Sequence, residues 1–216
     1  TGHLNISEDK LWVSVYKDDA EAYNIWKDKV KVPVGKIIKL GDKDNFWPSE
    51  AKEKGPNGPC GPCSEIFFDQ GKGFGCNSPK CGPSCSCGRF IEVWNLVFTQ
   101  FNRKEGGQIE PLPNKNIDTG MGWERLTAVI QGVESNFQTD LFKPLVDQII
   151  REVKIDRPDN RGLIYAIADH IRAVVFTIFD GVLPLNEARG YIVRKLIRKA
   201  SLHLRSLGVK HPFLFK

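Results

Sequence analysis

The segment from Asp118 to Leu126 combines residue types that could bind a nucleotide. It joins a predicted strand to a predicted helix, and Gly120 and Gly122 allow the backbone to approach a ligand closely because no Cβ intervenes. Arg125 falls in the first helical turn, where a guanidinium can lie over a planar base or clamp a phosphate. Two structural alternatives stay open: Asp118 as a helix N-terminal cap, and Arg125 as a solvated helix residue.

A second candidate group lies on the strand predicted for residues 89–102, which is rich in β-branched and aromatic residues. Its apolar character on both faces is typical of a central strand covered on both sides. Strict alternation places Asn95 and Val97 on one face and Glu92 on the other. A polar Asn95 in such a strand favours a ligand contact over a purely structural role, whereas Val97 is equally well explained as core.

Six cysteines lie between Cys60 and Cys87. No secretory leader pattern opens the chain, so metal binding or plain thiols are favoured over disulfides. Residues 70–88 have almost no apolar content, and four thiolates could order them around one tetrahedral Zn²⁺, with free thiols as the alternative. The C-x2-C pair Cys60 and Cys63 also invites a metal or redox reading, but a structural loop is favoured there. The candidate zinc ligands are Cys76, Cys81, Cys85 and Cys87.

The C-terminal part of the chain is basic. Residues 161–216 hold ten Lys and Arg against three acids, whereas the rest of the chain has slightly more acids than bases. Such asymmetry favours contact with a polyanion, and a solvated basic helix is the alternative. Asn186 is predicted to cap the helix that carries the stripe. The stripe consists of Arg194, Lys195, Arg198 and Lys199.

The periodicity predicts an α+β fold. Strands are expected at 11–16, 37–40, 64–69 and 89–102 and near Ile117, and residues 41–63 are expected to be loop because they are rich in Gly and Pro. Helices are expected at 18–31, 122–130, 140–153, 164–179 and from Asn186 to about Leu207. The polar residues 154–161 are the predicted boundary, which gives domains of residues 1–158 and 159–216.

Six short motifs occur in order along the chain and together resemble alanyl-tRNA synthetases, a family of class II aminoacyl-tRNA synthetases. The segment Gly-x-Gly-x-Glu-Arg at residues 120–125 is similar to motif 3 of that class. The resemblance implies the downstream part of an antiparallel-sheet catalytic domain, followed by an α-helical tRNA-recognition domain. The motifs are residues 44–47 (DNFW), 58–66 (GPCGPCSEI), 92–98 (EVWNLVF), 118–125 (DTGMGWER), 168–172 (ADHIR) and 186–191 (NEARGY).

The resemblance implies an alanine–tRNA ligase, which uses ATP and Mg²⁺ to form alanyl-adenylate and then charges tRNA(Ala). Asp118 matches the carboxylate that holds the substrate ammonium, and a buried carboxylate needs such a cation. Asn95 matches a polar group near the substrate carboxyl end. The substrate pocket would comprise Trp47, Asn95, Val97, Asp118 and Gly120, and the ATP site Gly120, Gly122 and Arg125. Asp118, Asn95 and Arg125 would be the catalytic set, and Asn186, Arg189, Arg194, Lys195 and Arg198 would contact the tRNA acceptor stem.

Motifs 1 and 2 of a class II active site are not found in this sequence. Met121 is the only methionine, which favours an internal fragment. We therefore expect an upstream segment or a second chain to supply both motifs, and the chain alone to be inactive. No apolar run approaches the roughly 18 residues that span a bilayer, so a cytoplasmic protein is expected. The alternatives are a non-catalytic tRNA-binding or regulatory paralogue, and a zinc-ribbon nucleic-acid module.

Overall fold

The computed structural model describes residues 2–154, 158–212 and 214. The chain forms two compact units, residues 1–134 and 135–216. The first contains a sheet with short helices, and the second contains helices. Each unit is described by itself below.

Over the described residues, the first unit has six strands and two α-helices. The helix α1 continues as a π-helical turn, Ile25–Lys29, so the helix predicted at 18–31 is present but irregular. The elements are β1 (Leu11–Tyr16), α1 (Ala20–Asn24), β2 (Ile37–Leu40), β3 (Phe46–Trp47), β4 (Gly58–Asp69), β5 (Phe90–Arg103), β6 (Ile109–Met121) and α2 (Trp123–Gln131).

The sheet has the order β2-β1-β4-β5-β6, with β3 paired to β4. Among the strands that the structure describes, β1 and β2 pair in parallel and the other pairs are antiparallel. This mixed fold with a mainly antiparallel sheet confirms the α+β class and the antiparallel sheet that were predicted. The α-helical tRNA-recognition domain stays a prediction. The long hairpin of β5 and β6 turns at Gly106 and Gly107, which both have positive φ and so occupy a conformation that favours glycine.

The prediction that residues 41–63 are loop is wrong at both β3 and the start of β4. The Gly- and Pro-rich run from Gly58 to Cys63 is strand, and its register against β5 shifts between Cys60 and Cys63. A β-bulge leaves a residue unpaired, so it can accommodate Gly and Pro residues that a regular ladder of backbone hydrogen bonds does not favour. At Gly61 the backbones approach so closely that a Cβ would lie 2.1 Å from the carbonyl oxygen of Phe98.

Two small cores stabilise the first unit. One lies where α1 covers the sheet and contains Val13, Val15, Ala22 and Ile37. The other joins the loop after β2 to the sheet and contains Tyr16, Phe46, Ala51 and Cys60. The second core positions β3 and the residues that precede it, which line the site described below.

The second unit is formed by α3 (Lys143–Val153), α4 (Arg161–Phe179) and α5 (Ala188–Ser206). Its core includes Val146 and Ile149 of α3, Ile164 and Ile167 of α4, and Leu204 of α5. The predicted domain boundary near residue 158 therefore differs from the break in packing at Glu134 and Ser135. The functional division into catalytic and tRNA-recognition domains stays a prediction.

The apolar residues of α4, the helix predicted at residues 164–179, are buried only in its first half. Ile164, Ile167 and Ala168 are fully enclosed, whereas Val175 and Phe179 are exposed, the latter at 87%. The stretch Pro158–Phe179 is long and apolar enough to cross a membrane by length and composition alone, with a hydropathy of 1.5. This corrects the expectation that no stretch of the chain approaches the length that spans a bilayer. Core helices pass the same test, and the expected cytoplasmic location stays a prediction.

The start of α5 differs from the prediction. Glu187, not Asn186, is the N-cap residue, and its side chain makes no capping hydrogen bond. The segment before α5 folds back onto the helix at Gly190, where a Cβ would lie 2.6 Å from the carbonyl oxygen of Leu183. The predicted end of the helix is confirmed, since Gly208 follows with a φ of +89°.

Candidate active site

The pairing of β5 and β6 brings four of the five sequence-predicted substrate residues onto one face of the sheet. Asn95 lies opposite Gly120, and Val97 lies opposite Asp118. On the other side of β5, Glu65 pairs with Asn95 and Cys63 pairs with Val97. Directly opposed residues of antiparallel strands project to the same face, so these side chains form two adjacent rows. This surface is called the site face below.

Glu65 is the centre of a buried polar network on the site face. Its Oε1 accepts a hydrogen bond from Asn95 Nδ2 at 3.1 Å, and its Oε2 accepts one from Ser14 Oγ at 3.3 Å. Ser14 Oγ in turn accepts from Asn45 Nδ2 at 2.8 Å. Glu65 is only 9% exposed, and Ser14 and Asn45 are fully enclosed. Through its hydrogen bond to Glu65 on the neighbouring strand, the network holds the side chain of Asn95 in one orientation.

Burial and, to a smaller extent, the neighbouring carboxylate of Glu92 raise the pKa of Glu65 to about 7, although Ser14 and Arg125 oppose the shift. The carboxyl group therefore keeps its proton to a higher pH than an exposed glutamate does. Asn95 Oδ1 is enclosed and has no hydrogen-bond donor in the described part of the chain. A buried acceptor without a donor is costly, so the described residues leave this oxygen of Asn95 unsatisfied.

Glu92 lies on the site face, which corrects the face predicted by strict alternation. A register shift between Ile66 and Phe67 places Glu92 opposite Phe67, so one extra residue of β5 is bulged and the alternation is reset. The influence of Glu92 on the Glu65 carboxyl agrees with this position. Sequence periodicity alone cannot reveal such a shift, because it depends on the partner strand.

Arg125 projects from the first turn of α2 back to β5. Its Nη1 donates to the carbonyl oxygen of Glu92 at 3.0 Å and to Glu92 Oε2 at 3.1 Å, and about half of its side chain is exposed. A Cβ at Gly122 would lie 3.1 Å from Arg125 Cδ. Gly122 therefore leaves room for the arginine stem, which is a structural reason for this glycine in addition to the predicted ligand contact.

The edge strand β6 leaves Asp118 and Gly120 open. Asp118 is exposed, which corrects the prediction of a buried carboxylate. Nothing lies within 4 Å of the position that a Cβ of Gly120 would take. The site face thus runs from an enclosed polar centre at Glu65 to an accessible rim on β6, and Asp118 is available there to a cationic group.

The segment before and within β3 borders the same face. Asn45 contributes the hydrogen bond to Ser14, and its Nδ2 also lies 3.8 Å from Cys63 Sγ. Trp47 follows two residues later, pairs with Gly61 and is 51% exposed. Half of the indole is thus accessible, and the predicted role of Trp47 as a pocket wall stays a prediction.

Three residues of the network were missed as functional candidates by sequence reasoning: Ser14, Asn45 and Glu65. The sequence did contain one indication of the network. Glu65 is a charged residue in a predicted strand, and the three apolar residues Ile66, Phe67 and Phe68 follow it. A buried acid in such a run needs polar partners. Those partners come from β1 and the β2–β3 loop and cannot be named from local sequence.

A family model described as tRNA synthetases class II (A) matches residues 1–216. The chain belongs to the class II (A) tRNA synthetases. This membership confirms the resemblance seen in the motifs. Class II synthetases generally use ATP and Mg²⁺.

Relatives of this class II synthetase chain include proteins named alanine–tRNA ligase. Those of Natranaerobius thermophilus and Desulforamulus reducens are 48% and 49% identical over 99% and 100% of this chain, which covers 24% of each. The alanine–tRNA ligase of Thermotoga sp. (strain RQ2) is 49% identical over 99% of this chain, which covers 25% of it. The chain therefore spans about a quarter of the length of these relatives.

The predicted tRNA-contacting residues of this synthetase chain lie on α5 and just before it, in the second unit. All five are exposed: Asn186, Arg189, Arg194, Lys195 and Arg198. Arg194 Nη1 donates a hydrogen bond to Asn186 Oδ1, so Asn186 is tied to the basic stripe instead of capping the helix. A groove of about 560 Å³ follows the stripe and extends to Arg205.

Proposed function

We propose that this chain is the part of an alanine–tRNA ligase that holds the alanine pocket and motif 3. The enzyme would activate alanine with ATP to alanyl-adenylate and transfer the alanyl group to tRNA(Ala). The observation that carries this proposal is the register of the sheet, which aligns Asn95 with Gly120 and Val97 with Asp118 on one accessible face. Motif spacing alone did not require these four residues to meet.

In this proposal, the alanine ammonium binds at the β6 rim. Asp118 supplies an exposed carboxylate that lies opposite Val97, two residues along β5 from Asn95. Asn95 Nδ2 donates one N–H group to Glu65. Its second N–H group is a donor that suits the carboxylate of alanine, which is the role expected from the resemblance.

The pocket selects alanine by size. Val97 forms an apolar floor, Gly120 leaves room for the substrate, and Trp47 supplies an aromatic border. Such a pocket excludes larger side chains by steric clash. It rejects smaller ones poorly, because one methylene contributes only about 1–3 kcal/mol to discrimination.

ATP would bind on the Arg125 side of the site face. Gly120 and Gly122 allow a close backbone approach, and the half-exposed guanidinium of Arg125 can stack on the base or clamp a phosphate. Mg²⁺ would bind the phosphates and neutralise their charge. Catalysis would rest on positioning the alanine carboxylate against the α-phosphate and on charge stabilisation, without a protein nucleophile.

The exposed stripe of α5 would bind the tRNA acceptor stem. Arg194, Lys195 and Arg198 lie on the groove, which suits a phosphate backbone and makes binding dependent on salt. Asn186 would read a base edge in the minor groove, where RNA displays them, and its bond to Arg194 positions its amide. A cytoplasmic location and a second segment or chain carrying motifs 1 and 2 are part of the same proposal.

The test is a chimera in which residues 1–216 replace the matching segment of the Desulforamulus reducens relative. We expect alanine-dependent exchange of ATP with pyrophosphate and charging of tRNA(Ala). The matched control is the same chimera with Asp118→Asn, which should fold equally well and lose exchange. A chimera that folds, binds tRNA and shows no exchange would instead identify the chain as a tRNA-binding paralogue.

A further inference from the structure

The four cysteines of the β4–β5 connection converge although they are spread over twelve residues. The Sγ atoms of Cys76, Cys81, Cys85 and Cys87 all lie within 4.8 Å of one another. Two pairs are closer, with Cys76 and Cys85 at 3.5 Å and Cys81 and Cys87 at 3.6 Å. All four are free thiols, and no role in the proposed reaction uses them.

These distances match a four-sulfur tetrahedron. With Zn–S bonds of about 2.3 Å, the sulfurs of a tetrahedral site lie about 3.8 Å apart. A disulfide would need about 2.05 Å, and it would separate the four sulfurs into two pairs. One ion at the centre is the arrangement that uses all four sulfurs together.

The connection lacks an apolar core that could order it. Among residues 70–88 only Pro83 is buried, and the other side chains are partly or fully exposed. Tight turns nevertheless present the cysteines, since Cys81 N donates to Ser78 O at 3.0 Å and Cys85 N to Gly82 O at 2.8 Å. A fold of this kind needs a cross-link, because the conformational entropy of ordering it is not offset by burial.

The charges around the cluster suit an anionic centre. Four thiolates around Zn²⁺ carry a net charge of −2. The connection itself contains Lys72 and Lys80 and no acid. Arg89 closes the loop and is fixed by Asp69, which accepts from its Nε at 2.6 Å and from its Nη2 at 2.5 Å.

We propose that Cys76, Cys81, Cys85 and Cys87 bind one structural Zn²⁺ that orders the β4–β5 connection. An all-thiolate tetrahedral set selects zinc over magnesium or calcium, which prefer oxygen. All four coordination positions are filled by protein, so the site is closed and has no position for a substrate. Cys60 and Cys63 take no part, because they are buried in the sheet and Cys63 Sγ contacts Asn45 instead.

The experiment measures zinc bound to the reduced chain, purified with zinc present and then desalted. We expect one zinc ion per chain by elemental analysis. Cobalt in place of zinc should show the visible absorption of tetrahedral thiolate coordination. Cys81→Ser and Cys85→Ser should each lose most of the bound metal, whereas the matched variant Cys60→Ser should keep it.

A second measurement does not depend on a folded variant. Chelation of the wild-type chain should expose the peptide bonds of residues 70–88 to protease, while the circular dichroism of the sheet persists. Absence of bound zinc or cobalt in the folded, reduced chain would overturn the proposal. So would metal lost by Cys60→Ser and kept by Cys85→Ser, or an iron–sulfur spectrum in place of zinc.

Discussion

The site face and the basic stripe of α5 organise polar groups in opposite ways. On the site face, Glu65, Asn95 and Ser14 are buried or half-buried and share hydrogen bonds, so a change in one alters the state of the others. On α5, Lys195 and Arg198 are exposed, and solvent screens each charge. Because the network is buried and coupled, a substitution in it should have a large effect that depends on its partners. Substitutions of the exposed charges on α5 should have small effects that are almost independent of one another.

The largest effect is expected where the backbones of β4 and β5, which carry the site face, approach each other closely at Gly61. We expect Gly61→Ala to destabilise the chain by roughly 3 kcal/mol or more, because its Cβ would lie 2.1 Å from Phe98 O and the strands must separate. Denaturant unfolding measures this. Gly120→Ala is the matched control, since nothing lies within 4 Å of its Cβ position. Equal stability of the two variants would contradict the close approach.

The Glu65 network predicts a specific pH dependence. Burial raises the pKa of Glu65 from 4.5 to about 7, so the folded chain keeps a proton that the unfolded chain releases. The resulting stabilisation is complete below about pH 4.5 and is lost as the pH rises through about 7. We expect Glu65→Gln to abolish this loss, which corresponds to about 1–3 kcal/mol between these limits.

The measurement compares the free energy of unfolding of wild type and Glu65→Gln across that range. The difference between the two proteins isolates Glu65 from other titrating groups. Glu92→Gln serves as a second variant, because removing its charge should lower the pKa of Glu65 and shift the loss to lower pH. If the free energy of unfolding changed with pH in the same way for wild type and Glu65→Gln, the Glu65 carboxyl group would not have a raised pKa in the folded chain.

At the rim of the site face, Asp118→Asn should weaken binding of an alanyl-adenylate analogue by more than tenfold in the chimera, or about 1.4 kcal/mol or more. The reason is loss of the carboxylate that pairs with the substrate ammonium. Because Asp118 is exposed, the melting temperature should change little. Calorimetric titration measures the affinity, and an unchanged value would exclude the ammonium-binding role.

The smallest effect is expected on α5. Arg198→Ala should weaken tRNA binding by a few-fold and lower the slope of log affinity against log salt by about 1. The exposed Lys29 of the first unit is a matched control, and its change to Ala should leave both values unaltered. A loss at Arg198 that is independent of salt would mean that the stripe acts by a coupled network like that of the site face.

The predictions from sequence succeeded where information is local. Residues 89–102 carry the β-branched and aromatic pattern of a strand, and the structure has β5 at Phe90–Arg103. The helix after Gly122 and the end of α5 before Gly208 were also predicted. Glycine and apolar periodicity act within a few residues, so they can be read without knowledge of the fold.

Predictions from short stretches of sequence failed where contacts with another segment determine the structure. The run at residues 58–63 was predicted as loop, but a bulge against β5 accommodates it as strand. Asn186 was predicted to cap α5, but Arg194 binds its side chain. In each case a contact with another segment overrode the local preference, through strand pairing at residues 58–63 and through the Arg194 side chain at Asn186.

The amino-acid sequence by itself determined the family, the strand that carries Asn95 and Val97, and the four cysteines. Only the tertiary structure decided that Glu65 lies beside Asn95, that Glu92 shares their face of the sheet, and that the cysteine sulfurs converge. The physical reason is that strand register and burial arise from pairing between distant segments. One shifted residue changes which side chains meet, and no periodicity within a single strand records that shift.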